Sequence, residues 1–221
     1  MTKKSIAVIG FIVLFGFLQS CASKPEESVL KRWFHANAMN DKTTMAAMAM
    51  EPLKMDVERW EIVSASQDVI EPCPLSEMNK TELDLKKKVE ESSVITIDAK
   101  DAVDEADYEL SQARGAAAKR KAQATKDELQ AKYEQLRTNH DQIQKDYNMA
   151  KVAAAREEEI TNFSLGGGQI ANIRDLTGEV HSKEVEVKTE GKSGAKNFKF
   201  ILKRYLLKDE TLNLPFRGRW I

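Results

Sequence analysis

The chain has 221 residues, with 34 basic and 35 acidic side chains and a formal net charge of −1. That balance excludes the basic footprint of a nucleic-acid-binding protein. Two cysteines and three scattered histidines offer no disulfide framework and no metal-ligand spacing such as HxxxH or CxxC.

The N-terminus divides into the parts of an export signal. Lys3 and Lys4 supply a positive n-region, and residues 6–18 form an apolar run of 13. A run of that length suits a signal h-region and falls short of the ~20 residues needed to span a bilayer. It ends in Leu18-Gln19-Ser20-Cys21. This tetrapeptide resembles the bacterial lipobox, with an aliphatic residue at −3 and a small one at −1; Gln19 is a less usual residue at −2. The resemblance implies cleavage between Ser20 and Cys21, a diacylglycerol thioether on Cys21, and acylation of the new amino group by a chain such as palmitate. More than one acyl chain makes a firm anchor, at about 0.8 kcal/mol per buried methylene. Ala22 stands where an inner-membrane retention signal often places Asp, which by analogy points to the outer membrane, facing the periplasm. The alternative is an uncleaved membrane anchor with an incidental cysteine.

Without residues 1–20 the chain carries 32 basic and 35 acidic side chains. With Cys21 committed to lipid, Cys73 is the one remaining thiol. Its Pro72-Cys73-Pro74 setting suggests an exposed turn, with a buried cysteine as the alternative. Ser23-Lys24-Pro25-Glu26 reads as a capping box with Pro just inside a helix start. Val29, Leu30, Trp33 and Phe34 then form one apolar stripe. A break at Asn40-Asp41 leads to a second helical patch with Met45, Ala46, Met48 and Ala49, whose methionines read as core filler. Beyond Pro52, Leu53, Met55 and Val57 alternate as in a strand. Trp60-Glu61-Ile62-Val63 continues it with a change of face, as a bulge would produce. Cys21 lies four residues before Pro25. Chain extends at most ~3.6 Å per residue, so the first helix starts close to the bilayer.

Residues 76–160 contain one glycine and no proline, in a composition of Ala, Glu, Lys and Gln that favours long helix. Leu129, Tyr133, Leu136, His140, Ile143, Tyr147, Ala150 and Ala154 recur at alternating spacings of four and three, a heptad seam. Leu85, Val89, Ser92, Thr96, Ala99, Val103, Ala106, Leu110, Ala113 and Ala117 form a second seam with smaller residues, out of phase with the first. The phase change predicts a helical hairpin bending near residues 115–121, with legs of about 30 to 40 residues, roughly 45 to 60 Å. A single uninterrupted helix that dimerises is the rival. Val94-Ile95-Thr96-Ile97 is β-branched and marks a site for a local break. Asp98, Asp101, Asp104, Glu105, Asp107 and Glu109 make an acidic band. Arg114, Lys119, Arg120 and Lys121, with Lys126, make the bend basic. That tip reads either as a solvated helix face or as a contact for an anionic partner such as a phospholipid surface.

Gly166-Gly167-Gly168 is a flexible exit, with no GxxxxGK[ST] pattern to make it a phosphate loop. Strand signals follow at residues 180–189, and Gly191-Lys192-Ser193-Gly194 is a turn. The next run holds Phe198, Phe200, Leu202, Tyr205 and Leu207. A turn at Lys208-Asp209-Glu210 precedes a final strand in which Leu212, Leu214, Phe216 and Trp220 share one face. Three successive strands form an antiparallel meander.

This order of elements is similar to the nuclear-transport-factor-2-like (cystatin-like cone) superfamily, which includes small bacterial lipoproteins. Ser28-Val29-Leu30-Lys31-Arg32-Trp33-Phe34 resembles the opening helix of that group and Gly218-Arg219-Trp220-Ile221 its closing strand. The match covers about residues 25–65 and 175–221. The fold expected is α+β: a cone-like antiparallel sheet packed with N-terminal helices, interrupted by a long antiparallel helical hairpin (coiled coil). Its divisions are a signal peptide at 1–20, N-terminal helices and first strand at 21–75, the hairpin at 76–162 and C-terminal strands at 163–221.

Enzymes of the cone superfamily need ionisable groups converging inside the cone. Here the inward-looking positions read as Phe198, Phe200, Leu202, Leu212, Leu214 and Phe216, and no nucleophile motif is present. An enzymatic reading would need His181 or Glu184 deep in the cone beside an accessible pocket. The function expected is therefore a non-enzymatic, lipid-anchored envelope protein, without cofactor, whose hairpin meets an envelope partner or a second copy. The alternative is a small apolar ligand held by Trp33, Phe34, Trp60, Phe200 and Trp220, side chains that equally read as core.

Overall fold

A computed structural model describes residues 24–168 and 170–221. The signal segment, Ser20, Cys21 and Ser23 lie outside the described residues. The described chain is α+β, with a five-stranded antiparallel sheet and two long helices. It falls into two compact units.

The first unit holds residues 24–71, Val180–Tyr205 and Gly218–Ile221. Helix α1 (Pro25–Ala38) opens on a proline whose missing N–H costs nothing at that position. Its stripe is buried at Leu30, Trp33 and Phe34. The expected capping box is corrected: Lys24 is the N-cap and makes no side-chain cap bond. Glu26 is buried and its carboxylate pairs with Lys183 at 3.2 Å, because a buried charge needs a counter-charge more than a helix end needs a cap. Asn40 turns the chain at φ 54, and the Asp41 side chain then caps α2 (Lys42–Ala46) by accepting from the Thr44 amide. The helix has only five residues, so Met48 and Ala49 lie beyond it; Met45 is buried.

The strand expected at Leu53, Met55 and Val57 does not form. The buried Asn37 amide donates to Met55 O at 2.8 Å and accepts from Met55 N at 2.9 Å, so one side chain supplies both bonds a neighbouring strand would give. Strand β1 (Arg59–Ala65) starts four residues later and pairs antiparallel with β3 (Thr177–Gly191). Its bulge is at Val63: Ile62 faces Val187 and Ser64 faces Glu186. Strand β2 (Val69–Pro72) also pairs β3. All four of its residues are exposed, so no alternation announced it. A turn at Lys192-Ser193 leads into β4 (Gly194–Asp209), as expected from the flanking glycines. Leu30, Phe34, Met55, Val185, Val187 and Leu202 form the core. Gly218 N donates to Tyr205 O, and Lys203 and Ile221 exchange two main-chain bonds. Trp220 thus lies on a segment held against β4 rather than in the last strand.

The second unit holds Pro72–Glu179 and Leu206–Arg217. Helices α3 (Leu75–Gln112) and α4 (Ala116–Ser164) have 38 and 49 residues, or about 57 and 74 Å at ~1.5 Å per residue. Ala113 is extended and Gly115 has φ 86, so helix stops just before the expected bend at 115–121 and no single helix runs through. Asp107 pairs with Lys126, and Ser92 Oγ lies 2.9 Å from His140 Nδ1. Partners that recede together from the break belong to legs running in opposite directions. Of the first expected seam, the positions from Leu85 to Leu110 on α3 and Ala113 just past its end are shielded from solvent, as are all eight on α4. Ala117 is the exception; it lies past the break on α4 and is exposed. The β-branched cluster causes no break. Val94, Ile95 and Ile97 stand exposed, and the shielded Thr96 donates to Ser92 O at 2.7 Å within unbroken helix.

At the root, Arg174 in a 3₁₀ turn (Ile173–Asp175) bridges Glu82 of α3 at 2.6 Å and Glu158 of α4 at 2.7 Å. Strand β5 (Leu214–Arg217) pairs with Leu206 to Asp209 of β4. The connecting turn is later than expected, because β4 runs to Asp209 and Asn213 supplies the positive φ of 53. Leu212 therefore lies in the turn, and Leu214 and Leu212 are exposed rather than inward-looking. No helix among the described residues is long and apolar enough to cross a membrane.

Candidate functional site

Ser20 and Cys21, the expected cleavage and lipidation residues, lie outside the described residues. The described chain begins three residues after Cys21, and α1 follows at once.

The five aromatic residues offered as pocket or core belong to the first unit, and four of them fill one another's space. Phe34 stacks on Trp60 with ring centroids 4.7 Å apart. Phe200 meets Phe34 and Trp33 edge-on at 5.8 and 6.5 Å, and Trp33 stacks with Phe34 at 6.2 Å. These separations are those of favourable ring pairs, each adding to the apolar area buried. Trp220 packs against the same core from its own segment.

At the break between α3 and α4, Arg114, Lys119, Arg120 and Lys121 are all exposed. They stand together as a basic tip, while Lys126 one turn on is drawn to Asp107.

The histidines do not converge. His35 is exposed on α1 and His140 belongs to the α3–α4 contact. His181 is buried on β3 with its Nδ1 2.9 Å from Asp68 Oδ2, a pairing that sequence spacing could not reveal. Glu184 is exposed and pairs with Lys199 at 2.6 Å. Among the described residues no group of three or more His, Cys, Asp or Glu is placed to hold a metal.

The sequence did not announce one site. A groove of about 330 Å³ on the first unit is lined by the first two turns of α1, by Met48, and by Arg204, Arg219 and Trp220. Pro25, Ser28, Val29 and Arg32 reach it because spacings of three and four place them on one helix face. The Arg204 guanidinium lies 5.0 Å from the centre of the Trp220 ring. Its Nε–H is buried and finds no hydrogen-bond partner among the described residues. The signal available was Arg219 beside Trp220; nothing in the sequence joined them to Arg204 and Arg32.

No protein-family model matches this chain, nor does any curated protein or solved structure.

Proposed function

We propose that the chain is a lipid-anchored protein of the cell envelope, acylated at Cys21 and facing the periplasm from the outer membrane. In this reading it acts by binding rather than catalysis. The first unit is a cone-like domain that sits at the membrane, and α3 and α4 form a coiled-coil hairpin that engages an envelope partner or a second copy.

One observation carries the interaction role. Leu83, Val94, Ile97 and Tyr108 on α3 are each at least half exposed. Their spacings of eleven, three and eleven return to one helix face, since eleven residues are close to three turns. That face lies opposite the seam residues, so α4 does not cover it. An apolar stripe on the outside of a soluble helix pair is surface that a partner would remove from water. The export-signal pattern and the lipobox resemblance support an envelope setting for such a partner.

Two measurements test the two halves of the proposal. Intact mass of the membrane-extracted protein should correspond to a chain starting at Cys21 plus acyl chains, blocked by globomycin and lost in Cys21→Ala. A wild type with residues 1–20 intact and no acyl mass would end the anchored reading. For the hairpin, a photo-crosslinker at position 97 in cells should capture one discrete partner or a second copy, and Val94→Glu should abolish capture. Absence of any adduct at positions 83, 94, 97 and 108 would remove the interaction role.

A further inference from the structure

We infer that the hairpin pairs with a second copy of itself, antiparallel and overlapping at the tips, so that the basic tip of each copy lies on the acidic band of the other. The inference names the partner for one surface of the hairpin and rests on the interaction role proposed above.

The charges are sorted along the hairpin and left without partners inside it. Lys126 takes Asp107 and Lys100 takes Asp104. The side chains of Arg114, Lys119, Arg120 and Lys121 are exposed and make no hydrogen bond or ion pair among the described residues. The same holds for Asp98, Asp101, Glu105 and Glu109 of the band. Helix stability does not account for this arrangement. Glu109 lies in the last turn of α3 and Lys119 in the first turn of α4, each at the helix end where the dipole disfavours its charge. A contact between copies answers both, because it brings cations to the band and carboxylates to the tip.

Spacing makes the surface self-complementary. The contacts of Asp107 with Lys126 and of Ser92 with His140 place Lys121 level with Gln112, the last residue of α3. Arg114, Lys119 and Arg120 lie beyond that level. At ~1.5 Å per residue, Glu109 is about 4–5 Å back from it and Asp98 about 21 Å, with the middle of the four carboxylates about 13 Å back. An antiparallel pairing that sets one tip against the middle of the other band has its axis half-way, about 6–7 Å back. Tyr108 is about 6 Å back. It is 67% exposed, and spacings of seven and three residues put it on the helix face of Asp101 and Glu105. Two copies therefore meet with Tyr108 against Tyr108 at the axis, a favourable ring pair, and one tip–band contact on either side. Both tips and both bands are then occupied, so the assembly closes at two copies. A parallel pairing would instead set band on band and tip on tip.

The overlap is short. About 15–20 Å of helices ~10 Å across falls below the ~800 Å² per partner of a standard interface. Its attraction is chiefly between exposed charges, so the pairing is weak and screened by salt. Leu83 and Val94, about 43 and 27 Å back, stay outside the overlap.

The test is photo-crosslinking of the full chain, extracted in non-ionic detergent, with a benzophenone side chain at position 108 or, as a control, at position 83. An adduct of two chains is expected from 108 and not from 83, falling at least about tenfold between ~0.05 and ~0.5 M NaCl. Arg114→Glu, Lys119→Glu, Arg120→Glu and Lys121→Glu together should abolish it, as should Asp98→Lys, Asp101→Lys, Glu105→Lys and Glu109→Lys together. Both sets in one chain keep the net charge and exchange the two signs, so the adduct should return; circular dichroism checks that each variant keeps its helix. No adduct between copies at 108, one indifferent to salt and to both sets, or no return in the folded combined variant overturns the pairing. Binding of wild type to phosphatidylglycerol vesicles, lost with the tip set and without an adduct at 108, would give the tip to an anionic surface and also overturn it. Adducts of positions 83 or 97 with another protein, and none between copies at 108, refute the pairing and leave the interaction role standing; no adduct at any position removes both.

Discussion

Replacing Asn37 by Leu keeps the branched heavy-atom outline and removes the amide donor and acceptor. In the native chain Asn37 and Met55 are only 6% and 8% exposed, and their two bonds are 2.8 and 2.9 Å long. Residue 55 belongs to no strand, so no main-chain group stands ready to replace the amide. Each orphaned buried backbone group costs ~1–3 kcal/mol, and the pair therefore about 2–5 kcal/mol after a small gain from burying Leu. In a chain of this size each kcal/mol moves the midpoint by ~2–4 °C, so a fall of roughly 5–15 °C is expected. All three tryptophans, Trp33, Trp60 and Trp220, lie in the first unit, so their fluorescence follows its unfolding without interference from the helix pair. Hydrogen exchange gives the local check: the Met55 amide should lose protection before its neighbours in β1. A loss below ~1 kcal/mol with the Met55 amide still protected would refute the claim that this side chain stands in for a strand.

Gly178→Ala should destabilise well beyond the ~1 kcal/mol of a tolerant glycine site, because its φ is +142 and a Cβ would lie 2.2 Å from Leu206 O; urea unfolding measures the loss. Arg174→Met should release both helix roots and cost about 1–2 kcal/mol, discounted because these side chains are partly exposed. The Glu158 hydrogen bond chiefly raises the Arg174 guanidinium above its ordinary value, so its contribution is complete below the ordinary value and lost only as pH rises through the folded one. The difference between wild type and Arg174→Met should therefore be flat from about pH 7 to 10 in paired thermal melts. Asp41 is held below 3.8, first by the Thr44 hydroxyl and then by its amide. The cap on α2 should persist above the ordinary carboxylate value and fail as pH falls through the lowered one, which exchange at the Thr44 amide reports.

Patterns confined to one element were legible in the sequence. The stripe of α1 and the two four-three seams of α3 and α4 needed only helical periodicity, and the structure shields the expected positions up to the break. The phase difference between the seams announced a break that Ala113 and Gly115 supply. The glycines at 191 and 194 marked their turn, with Gly194 at φ 94. Where local pattern met a competing partner, it failed. Leu53, Met55 and Val57 alternate as a strand should, yet the Asn37 side chain took the main-chain bonds. Glu26 fits a capping box, yet Lys183 took its carboxylate. The groove was invisible for the same reason, since Arg32 and Arg204 are 172 positions apart in the chain and only folding lines one cavity with both.

The sequence by itself determined the two long helices and their register-bearing faces, because each is written in neighbours within a few turns of one another. Tertiary structure alone decided which polar groups would find partners. A buried charge or backbone group selects whichever distant atom folding brings within about 3 Å, and the energy of leaving it unpaired outweighs the weaker preference of a short segment for helix or strand.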